Sequence, residues 1–219
     1  MDEGLQRATT TGTMVVSLRH HQRLIVRQRR ELAELFGFET RNKYEIASES
    51  GGALAFAAEQ QKGIAGFLSR QFLGHWRSFQ IKFFSPDKQE FLTARHPFRW
   101  FFQRLEVIDA GGRLLGAIQR RFSILTKRFD VEDANGRVIM QVASPFWRLW
   151  TFPFVSISSG REVARVSKRW AGVLNEVFTD KDNFAVELLD PGLGDAERAL
   201  VLAAAIYIDL QYFERKAGD

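Results

Sequence analysis

"ALVLAAAIYIDLQYF", residues 199–213, is the longest apolar run in the chain. It is 15 residues long and carries Asp209 within it. A helix that crosses a bilayer needs about 20 apolar residues, and an ionised carboxylate near the bilayer centre is costly. Length and charge together favour a helix covered by protein. A helix apolar on every side has to be covered on every side, so the rest of the chain must supply a wall around it.

The wall is legible upstream. From about residue 42 a unit repeats: a short apolar stretch, a polar turn, then a second apolar stretch. "KYEIASESGGALAFAAE" turns at Ser50-Gly51-Gly52, "FQIKFFSPDKQEFLTARH" at Pro86-Asp87, and "LEVIDAGGRLLGAIQRR" at Gly111-Gly112. "FDVEDANGRVIMQVASP" turns at Asn135-Gly136 and "FVSISSGREVARVSKRW" at Ser159-Gly160. Gly and Asn supply the positive φ of tight hairpins, and Pro-Asp suits a type I turn. At least five hairpins thus lie between residues 43 and 170, at a spacing that reads as a closed or nearly closed antiparallel sheet. The expected architecture is a mainly β barrel of ten or more strands around the C-terminal helix. Ala203, Ala204 and Ala205 keep that helix thin enough to thread it. Ahead of the hairpins, "RHHQRLIVRQRRELAELF" (19–36) admits two readings. Leu24, Ile25, Leu32, Leu35 and Phe36 can form a helical stripe, and "RLIV" can pair as a strand.

Composition narrows the function classes. The chain has 219 residues, suiting one domain, and 45% are hydrophobic, including 20 Phe and 5 Trp, so a sizeable core is expected. There is no cysteine, which excludes disulfides, thiolate metal sites, catalytic thiols and S-acylation. The opening "MDEGLQRATTTG" has no apolar core of a secretory signal. Residues 1–18 read as a disordered tail before a single domain over 19–215, with its core helix at about 198–213. The net charge is +5, which favours anionic partners. From Arg95 to Arg128 there are eight Arg/Lys against two acids, Glu106 and Asp109. The bland account is that these are outward positions on strands.

His20, His21, His75 and His96 have no zinc-like spacing. "GGR" and "NGR" are hairpin turns and not phosphate loops, and no Ser/His/Asp elbow is present, so an enzyme is not expected. A basic, aromatic-rich chain raises nucleic acid as a rival partner, but no recognition helix, RNP-like strand or zinc module is visible.

Several segments together resemble the phospholipid scramblase family: "LIVRQRRELAELFGFETRNKYEI" (24–46), "FAAE" (56–59), the chain of hairpins, "VSKRWAGVLNEVFTDKDNFAVEL" (166–188) and "AAAIYIDLQYFE" (203–214). "GFETRNKYEI" and "WAGVLNEVFTDKDNF" are the most specific. The likeness runs from about residue 22 to 215, and the absence of cysteine suits a bacterial-type member. It implies a fold similar to the tubby C-terminal and LURP-one-related domains, a closed antiparallel β-barrel of about 12 strands around a hydrophobic C-terminal helix. Ala203, Ile206, Ile208 and Leu210 belong to that core helix. The implied activity is transbilayer movement of phospholipids, stimulated by calcium, with no bond chemistry. The alternative is a lipid- or phosphoinositide-binding module that docks on membranes without scrambling. The implied location is a membrane approached from the cytoplasmic side, or the cytoplasm. The implied partner is an anionic phospholipid membrane.

The family's calcium segment matches at "DKDNF", and the candidate ligands are Asp180, Asp182, Phe184 and Asp190. The match is imperfect. Asp180 to Asp190 spans eleven residues, one short of the family's segment. An EF-hand loop wants Gly at its sixth position and Glu at its twelfth, where this chain has Ala185 and Pro191. Phe184, Val186 and Leu188 alternate as in a half-buried strand. Residues 180–183 therefore read as a polar turn leading into a strand, with a calcium site at the turn as the other reading. Where the family carries a cysteine-rich run, this chain has "HPFRWFFQR" (96–104). Arg99, Trp100, Phe101 and Arg104 there, with Trp147, Arg148 and Trp150 in "SPFWRLWTFPF" (144–154), are candidate lipid contacts: rings at headgroup depth, arginines on phosphates. The competing account packs the rings at the barrel rim or in its core.

Overall fold

A computed structural model describes residues 18–29, 42–60, 78–97, 103–123, 125–145, 147, 151–168 and 183–212. Twelve strands follow one another: β1 (Arg23–Gln28), β2 (Lys43–Ser48), β3 (Ala53–Gln60), β4 (Phe79–Phe84), β5 (Glu90–His96), β6 (Arg104–Asp109), β7 (Leu114–Arg121), β8 (Thr126–Asp133), β9 (Val138–Pro145), β10 (Thr151–Ser156), β11 (Glu162–Ser167) and β12 (Asn183–Leu188). Each pairs with its sequence neighbours, and β1 closes the barrel between β12 and β2. Both closing pairs are antiparallel. "RLIV" is thus a strand, whereas Leu32, Leu35 and Phe36 lie outside the described residues. Helix α1 (Asp195–Tyr212) follows β12.

Four of the five expected hairpins share one geometry. The amides of Ser48, Ser85, Asp109 and Asp133 donate to the carbonyls of Gly52, Gln89, Arg113 and Arg137, and their own carbonyls accept from Gly51, Lys88, Gly112 and Gly136. This is the three-residue loop in which a type I turn precedes one left-handed residue. That residue has φ of 88°, 65°, 82° and 77° in chain order. Pro86-Asp87 supplies the type I turn expected of it, and the left-handed position falls on Lys88. The fifth loop, between β10 and β11, is one residue longer: Ser156 donates to the Arg161 carbonyl.

Alternation along each strand sends one set of side chains inward. Tyr44, Ile46, Ile81, Phe83, Val107, Phe129, Val142, Phe154, Val166, Phe184 and Val186 are buried on that side. An eight-stranded barrel is filled by its own side chains, and a wider one is not. Here α1 fills the space. Its 18 residues span about 27 Å at 1.5 Å each, comparable to strands of six to eight residues at about 3.3 Å each. Residues 199–210 are buried, including the expected Ala203, Ile206, Ile208 and Leu210.

The helix begins one turn earlier than its apolar pattern, because its first turn is capped. The Gly194 amide donates to Glu197 Oε2 at 2.7 Å, the returning half of a capping box. Arg198 stops this end of the barrel. It is 2% exposed, and its guanidinium donates to the carbonyls of Leu193 (2.8 Å), Leu18 (3.1 Å) and His21 (3.1 Å). Leu18, assigned to the tail on sequence, is instead buried in the folded unit. Residues 1–17 lie outside the described residues.

Gly116 of β7 sits in a tight seam between the β8 backbone and the helix. A Cβ there would lie 2.1 Å from the Glu132 carbonyl oxygen and 3.0 Å from Leu200 Cδ1. A backbone oxygen cannot give way, so Gly116→Ala overpacks the seam, at a cost above the usual range of about 1–3 kcal/mol. Gly112→Ala, where the added carbon meets nothing within 4 Å, costs only the left-handed strain of about 1–2 kcal/mol. Urea unfolding of the two variants should show this order.

Candidate functional site

The two ends of the barrel differ. All five tight hairpins, the β12–α1 turn and the helix N-terminus lie at one end. The connections 29–42, 61–78, 97–103, 122–125, 146–150 and 168–182 all leave from strand termini at the opposite end, where α1 also finishes. Topology therefore brings the strand termini that flank both aromatic-basic segments, and Asn183 at the start of β12, to one end of the molecule. β7 and β8 separate the strands that carry the two aromatic-basic segments.

Buried polar groups gather inside this end. Asp209, 2% exposed, accepts from Tyr44 Oη at 3.0 Å and faces Lys168 Nζ at 3.2 Å. Asn42 Nδ2 donates to buried Glu59 Oε2 at 2.7 Å. The His96 ring stacks on Phe79 with centroids 4.6 Å apart and lies 5.6 Å from Tyr207. Lys127 Nζ sits 5.2 Å from the Phe152 ring centre, a cation–π placement. Asp209, the residue that argued against a spanning helix, is thus a fixed partner in the barrel interior. A cavity of about 280 Å³ opens beside this cluster, lined by Phe79, Gln80, Arg95, His96, Pro97 and Glu106 among others.

Outward positions carry charge, as the bland account of the arginines expects for part of them. Arg27 and Arg29 meet Glu45, Lys82 meets Glu90, and Arg121 meets Asp130 at 2.6 Å. Arg104 Nη1 meets Glu132 at 2.6 Å. Arg120 and Lys127 depart from that account, because their strand register places them on the inward side with Phe129 and Ser144. A barrel whose strands faced lipid would carry an apolar outer band, and these outward ion pairs leave none on β6–β8.

The candidate lipid contacts divide. Arg104 is held by Glu132 and also lies 3.7 Å from Glu106. Trp147 is 75% exposed at the end of β9. Arg99, Trp100, Phe101, Arg148 and Trp150 lie outside the described residues. Two exposed residues escaped the sequence reading: Phe122, 79% exposed, and Leu125, 68% exposed. Their signal was present, since "RRFSILTK" places large apolar residues in a strand connection that should be polar.

Two of the four candidate calcium ligands, Phe184 and Asp190, fall among the described residues. Phe184 is buried inside the barrel with its ring 6.4 Å from Tyr44, so its side chain offers no oxygen and faces the core. Asp190 lies beyond the far end of β12, where Oδ1 accepts from the Gly192 amide at 2.8 Å. Asp180 and Asp182 lie outside the described residues, but Asp182 is bonded to Asn183, the first residue of β12. The six residues of β12 extend about 20 Å at roughly 3.3 Å each. Of the four, Phe184 and Asp190 are thus set apart by burial and by the length of β12. Among the described residues no cluster of three or more His, Asp or Glu could hold a metal. Nor, among them, is any helix long and apolar enough to cross a membrane.

The model of the family described as Scramblase matches residues 4–215. The chain belongs to the Scramblase family. Human phospholipid scramblase family member 5 is 27% identical over 87% of this chain and 73% of its own length. Phospholipid scramblase 2 of Bos taurus is 28% identical over 90% and 70%, and a phospholipid scramblase family protein of Schizosaccharomyces pombe is 28% identical over 89% and 60%. The fold is similar to the X-ray structure of an Arabidopsis thaliana protein, with a TM-score of 0.51 at 12% identity, covering 90% of this chain and 98% of that one. Family membership links this barrel to phospholipid.

The buried pair at the end of α1 gives a stability test for this scramblase-family barrel. Removing one partner leaves a buried charge uncompensated, which costs about 3–5 kcal/mol. Lys168→Met should lose that much in urea unfolding at pH 7, whereas Tyr44→Phe loses about 1 kcal/mol for one hydrogen bond.

Proposed function

We propose that the protein moves phospholipids between bilayer leaflets, acting at the membrane surface as a folded barrel. The observation that carries this reading is the Scramblase match over residues 4–215, with relatives named phospholipid scramblases. No bond is made or broken, so the protein is not an enzyme in this reading. The partner is an anionic phospholipid membrane, in keeping with the net charge of +5, approached from the cytoplasmic side. Nucleic acid is not a partner in this reading. Calcium, where it acts, is assigned to Asp180 and Asp182 alone, since Phe184 and Asp190 face elsewhere.

A second reading has one observation of its own. The complete burial of residues 199–210 suits a barrel that binds lipid or phosphoinositide headgroups and moves nothing, because a helix enclosed by the barrel cannot line a path through lipid without the barrel opening.

One experiment separates the two. The purified chain is reconstituted into liposomes carrying a fluorescent lipid, and access of an impermeant quencher to the inner leaflet is followed with and without calcium. Scrambling predicts loss of inner-leaflet signal, stimulated by calcium, with the stimulation removed in Asp180→Ala/Asp182→Ala. Binding to anionic liposomes without flux in either condition would support the second reading and overturn the first.

A further inference from the structure

We propose that the barrel docks on an anionic phospholipid bilayer through the corner that carries Phe122, Leu125 and Trp147, beside the ends of β7, β8 and β9. Phe122, Leu125 and Trp147 enter the headgroup region there. The inference deepens the bilayer reading above and rests on it, but it concerns which surface meets the membrane.

Three observations single out this corner. The first is exposure. Phe122, Leu125 and Trp147 are 79%, 68% and 75% exposed, more than any other large apolar residue described. The second is proximity. Thr126 pairs with Pro145 across β8 and β9, so Leu125 and Trp147 lie one and two residues past adjacent strand ends. Phe122 lies one residue past the end of the neighbouring strand β7. Three large apolar side chains with an aromatic majority, grouped at one corner, have the composition of an interfacial anchor.

The third is charge. Arg121 and Arg128 are both exposed and stand directly opposite each other on β7 and β8. Like charges in that position disfavour the pairing of strands. Asp130 meets Arg121, while Arg128 has no ion pair among the described residues. A free cation beside exposed rings suits acidic headgroups, which attract basic residues near the surface. The hairpin end is a poorer candidate. Its most exposed apolar residues, Ile157 and Leu189, are 49% and 47% exposed. Its turns interleave the acids Glu49, Asp87, Asp133 and Asp190 with their cations.

The absence of cysteine makes the test direct. Leu125→Cys and Ile157→Cys are each labelled with an environment-sensitive fluorophore and mixed with phosphatidylcholine vesicles, with and without phosphatidylserine. A blue shift at position 125 with the anionic vesicles, and none at position 157, is the expected result. Phe122→Ala/Leu125→Ala/Trp147→Ala should float with these vesicles roughly tenfold more weakly, because apolar side chains no longer enter the interface. Ile157→Ala/Leu189→Ala should bind as the unaltered chain does. Arg128→Glu provides an independent arm that leaves the apolar residues in place. It should weaken binding to the anionic vesicles, and the remaining binding should depend less on salt. Thermal melts establish that each variant folds.

A shift at 157 in place of 125, wild-type binding by the triple variant, or no vesicle binding by the unaltered chain overturns the proposal. Its failure is distinguishable from that of the scrambling reading. Flux that survives undiminished in the triple variant sinks the docking corner alone. Binding through the corner without flux sinks scrambling alone.

Discussion

Everything in this molecule depends on filling the inside of a twelve-stranded barrel. Strands closed in that number enclose more space than their own side chains occupy, and an unfilled interior loses the contacts that stabilise it. Helix α1 fills it, and that requirement explains features of α1 that would otherwise be unrelated. The helix is apolar on every side because it meets wall on every side. Its alanines keep it narrow. β7 has a glycine at position 116 because the strand, its neighbour and Leu200 leave no room for a Cβ.

The two ends of the helix are anchored by different chemistry. At the N-terminus Arg198 spreads its donors over main-chain carbonyls of the segments that lead into β1 and out of β12. Arginine suits this place because its fork offers several donors and no acceptor. At the C-terminus Asp209 meets Tyr44 and Lys168. Withdrawing the helix would expose apolar surface, strand a buried cation at one end and separate an ion pair at the other. The helix that looks most like a membrane segment is therefore the element least free to become one.

The barrel is also polarised. Tight hairpins need only three or four residues, so five of them occupy one end and leave little to vary there. The longer connections at the other end are under no such restraint, and surface connections on a rigid scaffold are where binding residues concentrate. Much of the basic character of the outer wall is spent laterally. Arg27 and Arg121 meet carboxylates on adjacent strands, and Arg104 reaches across β7 to Glu132 of β8. Their carboxylates are largely covered, and the pairs remove cations from the pool that an anionic surface would feel. A cation with no ion pair among the described residues, such as Arg128, then matters more than the net charge.

The fold was largely legible in the chain. The hairpin turns, the inward alternation of Phe184, Val186 and Leu188, and the fully apolar helix each come from short-range patterns that a strand or helix must satisfy locally. The role of "RLIV" was not legible, because four apolar residues suit either period, and only closure against β12 and β2 selects the strand. The candidate site was less legible still. Proximity in sequence made Phe184 and Asp190 look like parts of one site, yet Phe184 faces the barrel interior and Asp190 lies past the hairpin end of β12. Arg104 looked available until its register set it beside Glu132, which is 28 residues away. Phe122 and Trp147 look unrelated until β8 and β9 bring their connections side by side. By itself, the sequence determined the period-two strands, the turns between them and the need for a covered helix, since these are properties of neighbouring residues. Only the tertiary structure decided which charges cancel, which rings stay exposed and which end of the barrel they share. Those outcomes depend on cross-strand register and barrel closure, which join residues that the chain keeps far apart.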